Sequence, residues 1–204
     1  MIQFQYKKDK DDSFIITLKT EVTEIGTFHR MASVIFELGW DIISGEINTI
    51  MENEKEYSYN VLRIQLPGSD NARNAMEIGI MLDSIFSGSP EKPPLPQKSV
   101  SKKPIFFFRE QPELIFQDDM SKDCTVFYIE ADSGRGLLYH LSAVLLKYEI
   151  NIIRAYIETD AVTSRAKDTF YLQDRQGKMF GKQEIVKTIR KEILENLTTN
   201  SKSS

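Results

Sequence analysis

With 204 residues, 41% of them hydrophobic and 27% charged, the chain is long enough for two small domains, each with a core of its own. Its formal net charge of −4 argues against a general nucleic-acid or anionic-membrane binder, which needs a basic face, so neither is expected as a partner. The single cysteine, Cys124, excludes an internal disulfide, and there is no apolar signal core in Met1–Lys8 and no apolar run of membrane-spanning length, so a cytoplasmic protein is expected.

Taken in chain order, Ile2, Phe4 and Tyr6 alternate as in a strand. A charged turn follows at Lys8–Asp12, then a β-branched strand at Phe14–Leu18. Thr20–Gly26 reads as a loop and Thr27–Leu38 as an amphipathic helix closed by Gly39. Trp40–Met51 and Tyr57–Leu66 form a hairpin around a charged turn. Pro67–Asp70 opens a helix over about Asn71–Phe86, whose apolar residues include Met76, Ile80, Met81 and Ile85. Ser87–Pro104, rich in Pro, Ser and Lys and without periodicity, is a linker. Ile105–Phe108 is a short apolar run. Strands then fall at Glu113–Gln117 and Cys124–Ala131, a loop at Asp132–Arg135, a helix at Gly136–Tyr148, a hairpin from Asn151–Thr159 and Lys167–Gln173, and a helix at about Lys182–Asn196 with Ile185, Ile189, Ile193 and Leu197 on one face. The tail from Thr198 is polar.

The second half repeats the first at an offset of 110 residues. Gly26 aligns with Gly136, Val34 with Val144, Ile42-Ile43 with Ile152-Ile153, Ile47 with Ile157 and Thr49 with Thr159. Phe28, Met31, Ile35 and Leu38 overlie Leu138, Leu141, Leu145 and Tyr148 in the i, i+3, i+7, i+10 rhythm of one helix face. A period this long marks a duplicated domain and not a solenoid unit. Each half reads β-α-β-β-α, an α+β fold of the ferredoxin-like type, with an antiparallel sheet and two helices on one face. The domains are assigned to 1–86 and 105–198, with a linker at 87–104 and a disordered tail at 199–204. The usual fourth strand after the second helix is missing. Ile2–Lys7 and Glu113–Gln117, which precede each core, are expected to take its place.

Thr125–Leu141, with Asp132-Ser133-Gly134-Arg135-Gly136, resembles the opening of an ACT domain. Asn151–Thr159 and Asp168–Asp174 resemble its second and third strands. The pair of halves is similar to the tandem ACT domains of bacterial uridylyltransferase/uridylyl-removing enzymes, which sense nitrogen. The resemblance implies two tandem ACT-like domains, association through sheet edges or helices, a homodimer, and a regulatory role in which an amino acid or similar small metabolite, glutamine by analogy, binds at an interface between domains. It also implies a ligand held by the loop of Ser133, Gly134, Arg135, Gly136 and Leu137, with Asn151 reaching in from a neighbouring domain. The family's loop often reads Asp-Arg-Pro-Gly, a pattern this loop keeps only in part. Thr23-Glu24-Ile25-Gly26 keeps only the glycine, and Glu24 would repel a carboxylate, so the second-half loop is the stronger candidate.

A glycine lets a ligand approach the backbone, and free amides at a helix start attract a carboxylate. Gly26 and Gly136 equally serve a tight turn into a helix with no ligand at all. Asn151 equally caps a turn, and Arg135 equally suits a solvated loop. His29 and His140 have no partner at metal-ligand spacing, so no metal is expected. Cys124 and Trp40 read as packing residues. Phe127, Tyr128, Phe170 and Tyr171 lack the basic signature of an RNA-binding sheet. No nucleophile–base or carboxylate pair is identifiable, so no catalytic residue and no cofactor are assigned. The alternative to a ligand sensor is a structural protein–protein interaction module that keeps a vestigial site.

Overall fold

The computed structural model describes residues 2–21, 23–65, 72–87 and 110–199. Twelve elements follow in the order β1 (Ile2–Lys8), β2 (Ser13–Thr20), α1 (Thr27–Glu37), β3 (Asp41–Glu52), β4 (Lys55–Gln65), α2 (Ala72–Phe86), β5 (Glu113–Asp119), β6 (Cys124–Asp132), α3 (Leu137–Lys147), β7 (Asn151–Glu158), β8 (Arg165–Gln173) and α4 (Ile185–Thr199). They build two tandem ferredoxin-like domains that share one antiparallel sheet in the order β1-β2-β4-β3-β7-β8-β6-β5. The linker beyond Ser87, the Ile105–Phe108 run and the helix opening at Pro67–Asn71 lie outside the described residues.

The strand preceding each core pairs into the sheet of its own half, as expected. β1 pairs with β2 from Ile2↔Thr20 to Lys8↔Phe14, and β5 pairs with β6 from Glu113↔Glu130 to Asp119↔Cys124. The halves join edge to edge within the chain, β3 running antiparallel to β7 from Ser44↔Glu158 to Asn48↔Arg154. An open edge invites uncontrolled pairing, and here the inner edge of each domain covers the other.

The helices form a row, α2 beside α1, α1 beside α3 and α3 beside α4. Beneath them the alternating residues Phe14, Ile16 and Leu18 of β2 and Phe127 and Ile129 of β6 are buried. Burial places Phe127 and Phe170 in the core, stacked with centroids 5.7 Å apart, rather than on an exposed aromatic platform. Trp40 and Cys124 are buried as well, and burial pushes the Cys124 thiol up. The α1–α3 seam is aromatic: the Tyr139 ring stacks on Phe36 at 4.7 Å and on His29 at 5.3 Å. Such pairs add about 0.5–1.5 kcal/mol each beyond the area they bury.

α1 and α3 end a residue short of the sequence reading, at Glu37 and Lys147, and α3 starts at Leu137; the larger differences are at the two ends of α4. α4 starts at Ile185, not Lys182, because the preceding turn is tied to the sheet. The Phe180 amide donates to Thr125 Oγ1 at 2.8 Å and the Gly181 amide to Asp118 Oδ1 at 2.7 Å. α4 also runs on through Thr199, so Thr198 and Thr199 belong to the helix and not to the tail. In α2, Ala75, Ile78, Met81, Leu82 and Phe86 are buried, whereas Met76 and Ile80 are exposed.

Two clefts between the domains as candidate functional sites

Both α1 and α3 begin at a left-handed glycine. Gly26 has φ 90° and Gly136 φ 97°, and neither helix start carries a side-chain cap. Only glycine adopts this conformation without strain; the turn itself takes up the first amide of each helix, Thr27 donating to the Glu24 carbonyl and Leu137 to that of Gly134 at 3.1 Å each, and the next amides have no carbonyl one turn back within the helix. Both helices end alike: the Trp40 amide bonds to the Ile35 carbonyl at 2.9 Å and the Ile150 amide to Leu145 at 2.9 Å. Residue Gly39 in one and Glu149 in the other takes positive φ there, as in a Schellman ending. Each ending delivers the chain to the head of the strand that the other half's loop faces. A β-bulge follows in both, between Ile42 and Ser44 in β3 and between Ile152 and Arg154 in β7. Bulges re-aim side chains and are common beside functional sites.

The first cleft is lined by Thr23, Glu24, Gly26, Thr27, Phe28, Ile47, Thr49 and Ser58 of one domain and by Ser142, Leu145, Leu146, Ile150, Asn151 and Ile152 of the other, around a cavity of about 20 Å³. That is room for a water-sized group. A Cβ on Gly26 would stand 2.9 Å from Leu146 Cδ1. The Glu24 carboxylate is exposed and drawn 3.6 Å from Arg30. His29 Nδ1 lies 3.0 Å from Ser142 Oγ, and burial holds its pKa below the usual value.

The second cleft, lined by Ala32, Ile35, Phe36, Trp40, Asp41 and Ile42 with Gly136, Leu138 and Tyr139, has a different electrostatic character. The Arg135 guanidinium sits with Cζ 5.5 Å from the Phe36 ring centroid and its charge acts on Asp41, whose carboxyl burial still raises to about 6. Asp168, 1% exposed, accepts the Glu158 amide at 3.1 Å and is pushed up to about 7 by burial and by the neighbouring Asp41. On the loop, Ser133 Oγ lies 3.1 Å from Thr159 Oγ1, and Asp132 is buried 4.0 Å from Arg165.

The structure thus divides the residues that the sequence grouped together. Gly134 and Gly136 turn the second-half loop, which also holds Ser133, Arg135 and Leu137, and this loop meets Asp41. Asn151 instead faces the Gly26 loop. Sequence reasoning did not reach Asp41, Ser58 or Asp168. The repeat carried the signal, since Asp41 is the mate of Asn151 and Ser58 the mate of Asp168 at the same offset. Among the described residues no group of three or more His, Cys, Asp or Glu could hold a metal ion, and no helix is long and apolar enough to cross a membrane.

No protein-family model matches the chain. Curated relatives do. It is 25% identical over 163 residues to the bifunctional uridylyltransferase/uridylyl-removing enzyme of Bradyrhizobium diazoefficiens, covering 78% of this chain and 17% of that protein. It is 26% identical over 166 residues to the same enzyme of Rhodopseudomonas palustris, covering 78% of this chain and 18% of that protein. The chain is similar to part of these enzymes. It spans less than a fifth of their length, and the matched share includes residues of both domains. Among solved structures, an aspartate kinase from Synechocystis matches 81% of this chain and 25% of its own, with a TM-score of 0.47 and 15% identity.

Proposed function

We propose that this chain is a non-catalytic regulatory module that binds an amino acid or similar small metabolite between its two domains. The observation that carries the reading is the meeting of the Gly26 loop, at the uncapped start of α1, with Asn151 at the head of β7. The helix amides supply a complement for a carboxylate, while Asn151, Thr49 and Ser58 offer neutral donors and acceptors. Glu24, which argued against this loop in the sequence, is turned toward Arg30. The similarity to part of the uridylyltransferase/uridylyl-removing enzymes and the resemblance to ACT domains support a regulatory role, with glutamine the first ligand to try.

A cavity of about 20 Å³ is too small for an amino acid, so the ligand must part α1 and α3 as it enters. That parting is the proposed signal: binding in the cleft changes how the two domains meet. A homodimer would use the outer strands β1 and β5 or the exposed apolar side chains of α2. The small cavity also favours the second reading, an interaction module without a ligand. A thermal-shift screen of the twenty amino acids separates the two, because a ligand at about 100 times its dissociation constant adds roughly 2.7 kcal/mol. Stabilisation by one or a few of them supports the sensor; no shift with any supports the interaction module.

A further inference from the structure

The two clefts differ at three mated positions, and the three differences compensate one another. The loop carries Ile25 in the first cleft and Arg135 in the second. The opposing strand head carries Asn151 in the first and Asp41 in the second. The third position is Ser58 in β4 and Asp168 in β8. One cleft is neutral at all three, whereas the other gains a cation and two carboxylates together. Two partly or fully buried carboxylates would be costly in a cleft left without a cation.

We propose that Arg135 occupies the second interdomain cleft as a built-in guanidinium ligand, so that only the first cleft is open to a soluble one. The cleft has the parts that recognise a guanidinium: the Phe36 ring face at 5.5 Å and the Asp41 carboxyl, on which the Arg135 charge acts, both from the opposite domain, with Asp41 in turn acting on Asp168. A planar delocalised cation over an aromatic face next to a carboxylate is the arrangement arginine suits and lysine does not. Ionised, Asp41 also repels the carboxylate of a free amino acid. Arg135 also bridges the domains, holding the second cleft shut while the first opens. The consequence of a single open cleft rests on the proposed function; the occupancy of the second does not.

The test uses the full chain and methylguanidinium as the probe. Arg135→Ala empties the cleft and lowers the melting temperature. Millimolar methylguanidinium then raises the melting temperature of the variant by a few degrees and leaves wild type unmoved, and tetramethylammonium at equal concentration rescues neither. A methylguanidinium shift of the same size in both proteins, or in neither, overturns the proposal. Should Arg135→Ala not fold, the Arg135 Nε–H resonance in wild type and in Asp41→Asn decides. An upfield-shifted, slowly exchanging signal that moves in Asp41→Asn supports occupancy, and a solvent-averaged signal unchanged by the substitution overturns it. Failure of every amino acid to bind leaves these readings intact and counts only against the sensor.

Discussion

Glu46 and Tyr156 stand opposite one another on the β3–β7 ladder, and they are also the same position of the repeat, 110 residues apart. Gly45 accordingly faces Ile157, and Ile47 faces Ala155, the mate of Gly45. An axis of approximate twofold symmetry therefore passes between Glu46 and Tyr156. It explains why each cleft combines the loop of one domain with the strand head of the other.

Gly45 lies next to this axis. A Cβ there would come within 2.4 Å of the Val61 carbonyl oxygen, backbone that cannot step aside without moving β4. Gly45→Ala is expected to cost about 1–3 kcal/mol and to raise amide exchange along β7 as well as β3. Denaturant midpoints and exchange mass spectrometry measure both. An unchanged midpoint would show that the strand accommodates the methyl.

Asp168 makes the pH dependence testable. Its carboxyl titrates at about 7 in the folded chain, above its unfolded value near 3.9. Between those values the native state holds more protons than the unfolded one, so this group's contribution to stability falls as pH rises through the window. Asp168→Asn mimics the protonated form and keeps an acceptor for the Glu158 amide. The variant should match wild type near pH 4 and exceed it near pH 8 by on the order of a few kcal/mol, at about 1.36 kcal/mol per pKa unit. Equal destabilisation at both pH values would mean that the carboxylate itself is needed.

The histidines of the α1–α3 seam act in the opposite sense. Burial lowers the pKa of His29 and of His140, the latter helped by its neighbour His29. Neutral imidazole is favoured on folding, so their stabilisation is complete above about 6.5 and is lost as pH falls below it. In wild type this loss is offset by the raised carboxyls. In Asp168→Asn the offset is weaker, and stability should fall more steeply from pH 7 to pH 5 than in wild type. Imidazole resonances followed by NMR should both titrate below about 6.5; either one titrating above it would contradict the assigned burial.

The fold was largely legible because the repeat states the element order twice and helix periodicity marks Phe28, Met31 and Ile35 as cleanly as Leu138, Leu141 and Leu145. Even the places of β1 and β5 followed from the matching positions of both segments in the repeat. The α4 boundary did not, because the bonds from Phe180 and Gly181 to Thr125 and Asp118 are long-range. The site was half legible. Glycine before a helix names the loops, but which strand head meets which loop depends on the β3–β7 register. That register places Asn151 opposite Gly26 and Asp41 opposite Gly136.

The exposed apolar side chains Met76 and Ile80 lie beside Ile2, Phe4 and Tyr6 of the outer strand β1. If the chain forms the expected homodimer through this edge, sedimentation at micromolar concentration should give twice the 23.5 kDa chain mass. Met76→Lys with Ile80→Glu should then return it to the monomer with little change in stability, since surface substitutions usually stay within about 0.5 kcal/mol. A wild type that sediments as a monomer excludes the dimer at that concentration; a dimer that survives both changes places the contact elsewhere, with β5 the next edge to test.

The last expectation decides which cleft takes the ligand. If it enters beside Asn151, then Asn151→Leu, which keeps the size but removes the amide, should weaken binding of the screened amino acid about tenfold or more, since a polar group left unpaired costs about 1–3 kcal/mol. Gly136→Ala, at φ 97°, should instead cost about 1 kcal/mol of stability through its backbone and leave affinity within error. Gly26→Val should lose both, because its side chain strains the turn and meets Leu146. Calorimetry on variants shown to be folded gives the affinities. The reverse pattern, with binding lost in Gly136→Ala and kept in Asn151→Leu, would move the ligand to the loop of Ser133, Gly134, Arg135, Gly136 and Leu137 and make Arg135 its partner rather than its substitute.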